Sequence, residues 1–262
     1  MKKKRKILLK VLAVLLSIIF ILLAIISIVA KKNVASMNRC LDAALEELSK
    51  NHTVTAVDPG KYKELTFYGV IKFNVEQYEI EDLGNLSIMR VNMGPMQMAT
   101  FVITPQNKNL PLLSADYMYI LSNRKAYLEF YDVVKEKDEQ YMQLMDALGA
   151  VQANFEYLDD FAPSEAWYDD LLTVASFKSC TSEADADLVN LLTESLDVYL
   201  EHSKKIPTLS DRERDEKIAI TAEYTNGLIN NGGVSTDVFK KQLGAEETMK
   251  FFDNVLFGTA RK

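Results

Sequence analysis

Residues 11–30 run for twenty positions without a charge, in a chain of 262 residues of which 26% are charged. At about 1.5 Å of rise per residue, a helix of that length spans a hydrocarbon layer of about 30 Å. The run is longer than the ~7–15 apolar residues of a secretory leader and lacks a small-x-small cleavage site, which favours a single transmembrane anchor over a removed signal peptide. Lys10 at its edge can extend its ammonium to the headgroups. Lys2, Lys3, Lys4, Arg5, Lys6 and Lys10 precede the run; Lys31, Lys32 and Arg39 lie beyond it. The excess of cations on the first side keeps the N-terminus in the cytoplasm and exports the C-terminal part of the chain, although Lys31 and Lys32 pull the other way. The sequence therefore reads as a single-pass protein of the cell membrane with its domain outside.

Three segments result: a cytoplasmic basic tail and transmembrane anchor over 1–32, a juxtamembrane helix and connector over 33–60, and one folded domain over 61–262. The length beyond the anchor suits a single core. The net charge is −7, and the first 32 residues hold eight cations and no acids, so residues 33–262 sum to −15. So acidic a domain is a poor partner for nucleic acid or an anionic membrane surface.

Along the chain, Met37, Leu41, Ala44, Leu45 and Leu48 recur at helical spacing, and 53–60 is a connector with a Pro-Gly turn. Six strand-like runs come next, at 65–73, 75–80, 85–93, 96–104, 115–121 and 126–134. Their separators are too short for crossover helices, so the sheet is expected to be mostly antiparallel. Helices are expected near 136–156, 164–176, 183–204, 211–230, 235–243 and 245–256. Strands and then helices read as α+β, with helices covering the sheet.

The chemistry-bearing residues are sparse. His52 and His202 are the only histidines, and neither has the companions of a nucleophilic triad. A zinc site would need both to converge with Cys40 and Cys180. Those two thiols either pair or stay free, and free thiols fit better because one long-range bridge is no disulfide scaffold. Phosphate-binding glycine loops and dinucleotide fingerprints are missing. The acids at Asp159-Asp160, Asp169-Asp170 and Glu183/Asp185/Asp187 read as solvated or helix-start residues, since the last lacks the glycine and distal glutamate of a calcium loop.

Asp116 stands apart, in an otherwise uncharged strand that runs on from Ser114-Ala115 into Tyr117-Met118-Tyr119. With a hairpin turn at Asn123-Arg124 it shares a face with Met118, Ile120, Glu129 and Tyr131. A carboxyl on such a face is desolvated and suited to proton transfer; equally, it is a strand-end residue facing solvent or capping a turn. Arg90 is a candidate partner for a ligand carboxylate.

Thr104-Pro105, Leu110-Pro111-Leu112-Leu113-Ser114-Ala115-Asp116 and the hairpin through Ala126-Tyr127-Leu128-Glu129-Phe130 resemble the ferredoxin-dependent bilin reductases. So do Leu243-Gly244-Ala245-Glu246-Glu247 and Val255-Leu256-Phe257-Gly258 near the C-terminus, in the same order. The resemblance implies an α/β/α sandwich about a central antiparallel sheet. It also implies a linear tetrapyrrole between the sheet and the C-terminal helices, no bound metal or flavin, and single electrons from a ferredoxin. It places the family's aspartate at Asp116. The positions that in the family carry a histidine and a glutamate fall near Thr100 and Ile88, and a further acid falls near Gly233, with Asp237 close by. Lys204, Lys205, Arg212, Arg214 and Lys217 are the one dense group of cations on which an acidic electron carrier would dock. The rival expectation is a non-catalytic ligand-binding or scaffolding domain at the cell surface that keeps the fold.

Overall fold

The computed structural model describes residues 2–233 and 235–260. A single helix, α1 (Lys2–Asn51), contains the whole apolar run and continues without a break into the body of the protein. Ile25 and Ile28 are still exposed, whereas Ala30, Met37, Cys40, Leu41, Ala44 and Leu48 are buried. Among the described residues α1 is the one helix long and apolar enough to cross a membrane. Its second half is a layer of the core.

Seven strands come after it: β1 (Val54–Val57), β2 (Glu64–Phe67), β3 (Ile71–Ile80), β4 (Gly84–Asn92), β5 (Met96–Pro105), β6 (Leu112–Ile120) and β7 (Asn123–Tyr131). After α2 (Glu139–Ala153) come β8 (Asp159–Asp160) and β9 (Leu172–Thr181), then α3 (Asp185–Ser203), α4 (Asp211–Asn231), α5 (Thr236–Leu243) and α6 (Ala245–Phe251). The nine strands form one sheet in the order β1-β3-β4-β5-β6-β7-β9-β8, with β2 also on β3. Every pairing in it is antiparallel.

Because side chains alternate across a strand, each strand feeds two cores. On β6, Leu113, Ala115, Tyr117 and Tyr119 join Leu41 of α1, Leu144 of α2 and Leu192 of α3 in one cluster. On the other face, Leu112 of β6, Val102 and Tyr131 join Tyr224 and Leu228 of α4, Phe239 of α5 and Phe251 of α6. The architecture is the expected α/β/α sandwich, an α+β fold with one long apolar N-terminal helix.

The last helical segment among the described residues is wound as a π-helix over Phe252–Leu256, and Phe257 N–H closes it on the Phe252 carbonyl at 2.8 Å. Such a turn leaves carbonyls without helical partners. The sheet supplies donors instead: Gln77 Nε2 to Asn254 O at 2.9 Å, Asn85 Nδ2 to Val255 O at 3.1 Å, and Ser87 Oγ to Leu256 O at 2.6 Å. Gly258, at φ +67°, lies so close to Asn85 that an added Cβ would meet its side chain at 2.7 Å. Buried polar residues of β3 and β4 thus hold the C-terminus down on the second face.

Several local expectations change, among them the connector over 53–60, which contains β1 paired with β3. The helix expected over 164–176 is absent: a short 3-10 turn, Asp169–Leu171, leads into β9, whose β-branched and alternating residues pair along β7. The run expected over 65–73 breaks at Tyr68 and Gly69, both at positive φ, into β2 and β3. Cys40 and Cys180 are free. Cys40 donates to the Tyr117 hydroxyl at 3.1 Å, and burial pushes its thiol up to about 12, which makes it unreactive.

Candidate functional site

Asp116 lies on β6 opposite Thr100 of β5 and Tyr127 of β7, on the face covered by α4–α6. Thr100 Oγ1 donates to Oδ1, and Ser114 Oγ donates to Oδ2 at 2.9 Å. Burial raises the Asp116 carboxyl above its ordinary range, and the two hydroxyl donors hold the rise back. Glu129 stands opposite Ser114 on β7, diagonal to Asp116. Burial and the neighbouring Asp116 charge push its carboxyl up to about 8, against a contribution from the Tyr131 hydroxyl that lowers it. Tyr131 packs 5.0 Å from the Tyr224 ring and 5.8 Å from that of Tyr168. Burial lifts the Tyr131 and Tyr224 phenols well above their usual value, so both remain neutral donors.

These groups wall a cavity of about 220 Å³ between the sheet and the C-terminal helices, roofed by Tyr224, Leu228, Phe239, Phe252 and Phe257. A second cavity of about 330 Å³ shares Met89, Met98, Thr100, Ser235 and Phe239 with it and extends toward Phe67 and Phe73. The second by itself falls in the range of small-molecule sites, ~300–1,000 Å³. Among the described residues the two linings hold Asp116, Glu129 and Asp169 but no lysine, arginine or histidine. The arrangement can therefore present a proton from either carboxyl to a flat apolar ligand held between aromatic rings.

Thr100, Asp116, Glu129 and Tyr131 come together here. Two other candidates do not. Met89 pairs with Thr100 across β4 and β5 and faces the cavity, so Arg90, one residue on, points to the α1 side and is ion-paired with Glu76. Ile88 is turned to that face for the same reason and belongs to the other core. Asp237 sits between Thr236 and Phe239, which line the cavity, but its own side chain is 75% exposed and pairs with Lys240 at 3.5 Å.

The cationic cluster also disperses. Lys217 is fully buried, its Nζ donating to the Val133 carbonyl, and burial lowers its ammonium to about 7. Lys204 pairs with Glu201, and Arg212 with Glu216 at 3.0 Å. His52 and His202 make local contacts to the backbone oxygens of Glu81 and Val198, and no metal-binding group occurs among the described residues. Tyr168 and Tyr224 were invisible as site residues in the sequence. Tyr224 is the only aromatic residue of α4, and that isolation is the one signal it offered.

The sequence matches no family model and no curated protein. Among solved structures, the fold is similar to that of phytochromobilin synthase from tomato, a ferredoxin-dependent bilin reductase, in its selenomethionine form in complex with biliverdin. The TM-score is 0.69 at 12% identity, over 86% of this chain and 84% of that one. At that identity the likeness is one of fold: this chain carries the bilin-reductase architecture behind a long apolar N-terminal helix.

Proposed function

We propose that this chain is a membrane-anchored, bilin-reductase-like protein that binds a linear tetrapyrrole or a similar conjugated ligand between its sheet and C-terminal helices, and reduces it by electron and proton transfer. The observation that carries the reading is Asp116, a carboxyl without a cationic partner among the described residues, bonded to Thr100 and Ser114 on the wall of an aromatic-lined cavity. The likeness in fold to a protein solved with biliverdin supports the ligand class. Asp116 is the proton donor in this reading. Thr100 orients it, while Glu129 and Tyr131 contact the ligand or restore the proton. Electrons come from an external one-electron carrier such as a ferredoxin, not from a bound cofactor. Residues 11–30 span the membrane, the N-terminus faces the cytoplasm, and the domain lies outside.

One observation favours a second reading, a binder without turnover: of the five cations that would receive an acidic carrier, Lys217 is buried, and Lys204 and Arg212 are paired with acids of their own helices. One experiment separates the two. Biliverdin is titrated anaerobically into the protein, following its visible band and the emission of Trp167, the single tryptophan, which packs 6.0 Å from Tyr224. Reduced ferredoxin is then added. A reductase shifts the band on binding and bleaches it on reduction. Asp116→Asn is expected to keep the first and lose about 10²–10⁴-fold of the second, the usual contribution of a positioned acid. Binding without bleaching leaves the binder reading standing, and no band shift removes the tetrapyrrole.

A further inference from the structure

The two ends of the sheet differ in chemistry. At one end lie the turns that join β2 to β3, β4 to β5 and β6 to β7, over residues 67–71, 92–96 and 120–123. No residue in them is charged, in a chain where 26% are. Val70 is 79% exposed, and Tyr68, Ile120 and Leu121 are also exposed apolar residues. Tyr68 and Leu121 hold φ at 51° and 53°, a conformation unusual for large side chains. At the opposite end, the turns after β3, β5 and β7 carry Glu81, Asp82, Lys108, Asp132, Lys135, Glu136, Lys137 and Asp138.

The direction of α1 says which end meets the membrane. Asn33 Nδ2 donates to the Leu121 carbonyl at 2.9 Å and to Gln97 Oε1 at 2.8 Å, at the end that carries the apolar turns. Cys40 reaches Tyr117 in the middle of β6, and the next segment reaches the charged end, where Glu81 N–H donates to Thr53 O at 3.0 Å. Traced backward from Asn33, the apolar stretch therefore leaves the domain at the end that carries the apolar turns. Asn33 lies three positions beyond Ala30, the end of the uncharged run. At ~1.5 Å per residue that is about 4.5 Å, less than the ~5–7 Å of headgroup region on each side of a bilayer. The second cavity reaches the same end: Tyr68, Met93 and Met96 are among its lining, and all but Thr100 and Ser235 of that lining are apolar.

We propose that this end of the sheet rests in the bilayer surface, and that the second cavity opens there, so that a lipophilic ligand enters from the lipid phase. The proposal rests on residues 11–30 spanning the membrane, as in the preceding reading, but not on the identity of the ligand. Exposed apolar turns at headgroup depth have a partner in the interface that water does not offer. Glu183, Asp185 and Asp187 follow β9 at this same end, beside Asn123, and Asp185 is ion-paired with Arg124; a zwitterionic surface carries no net charge to repel them.

The test uses the full chain in phosphatidylcholine vesicles, compared with vesicles of dibrominated phosphatidylcholine, whose bromines quench nearby tryptophan. Val70→Trp and Ile120→Trp change exposed positions and are expected to lose most of their added emission, above the Trp167 background. Asp82→Trp, at the charged end, is expected to lose none, while Phe20→Trp reports the anchor itself. Quenching at residue 20 but at neither 70 nor 120 would overturn the bilayer contact, and no quenching at residue 20 would overturn the membrane span on which it depends. For the entry route, Val70→Asp with Ile120→Asp is expected to slow uptake of biliverdin dimethyl ester preloaded in vesicles severalfold, while aqueous biliverdin binds as before. Equal uptake rates in parent and variant would overturn the route and leave tetrapyrrole binding intact; failure of both pigments to bind the parent would remove the tetrapyrrole, and quenching at 70 and 120 would still decide the bilayer contact.

Discussion

Glu129 and Lys217 titrate in opposite senses, and each leaves a signature in the dependence of stability on pH. Glu129 has its carboxyl raised to about 8, so between its ordinary range and that value the folded state holds a proton that the unfolded chain has released. Its contribution is complete at low pH and is lost as pH rises toward 8. Glu129→Gln is expected to flatten that fall in a urea-denaturation series from pH 5 to 8. Lys217 has its ammonium lowered to about 7, so the unfolded chain holds the extra proton above that pH. Its stabilising share is complete at high pH and is lost as pH falls toward 7. Lys217→Met, which keeps the buried stem, is expected to raise the melting temperature at pH 7 and to remove the gain between pH 7 and 10. Neither behaviour was legible in the sequence. Lys217 looks like one more cation of an exposed helix, and only the packing of α4 on Val133 shows that it is inside.

At the scale of elements, legibility depended on parity and on partners. The hairpin turn expected at Asn123-Arg124 falls at Leu121-Ser122 instead, which moves each partner on β7 by four residues. An even shift keeps every side chain on its face, so Glu129 and Tyr131 still share the side of Asp116. Arg90 failed by the same rule, being one residue away from the register that faces the cavity. β9 was missed because Tyr168, Leu171 and Leu172 fit a helical stripe as well as a strand, and only the free edge of β7 decides between them. The C-terminal turn depends on contacts far apart in sequence, so nothing local announced it. Asn85, fully buried, donates to Val255 O and accepts from Gln77 Nε2 at 2.7 Å. Asn85→Ala removes one hydrogen bond from each of those groups, which still bond to each other and to the turn, and thermal unfolding is expected to show a loss of about 0.5–1.5 kcal/mol. Because the same turn roofs the first cavity, ligand affinity should fall with it.

For the whole molecule, the apolar helix and the folded body share one element. Arg124, 2% exposed, donates from Nη2 to Asn33 Oδ1 at 3.0 Å and from Nε to Asp185 Oδ1 at 2.7 Å, tying α1 to β7 and α3 where the helix enters the body. A fragment starting at residue 31 should therefore fold as a monomer by circular dichroism and gel filtration. One starting at residue 61 loses Met37, Leu41, Ala44 and Leu48 from the first core and should be recovered only as aggregate. If, as proposed, the helix passes from lipid into the core, its unbroken course gives it a phase. One residue inserted between Ala30 and Asn33 would turn the body by about 100° about the helix axis while leaving both folds intact. Whatever side of the domain now looks along the membrane toward a neighbour would look elsewhere, and a further two or three residues would bring it round again, one helical turn higher above the lipid.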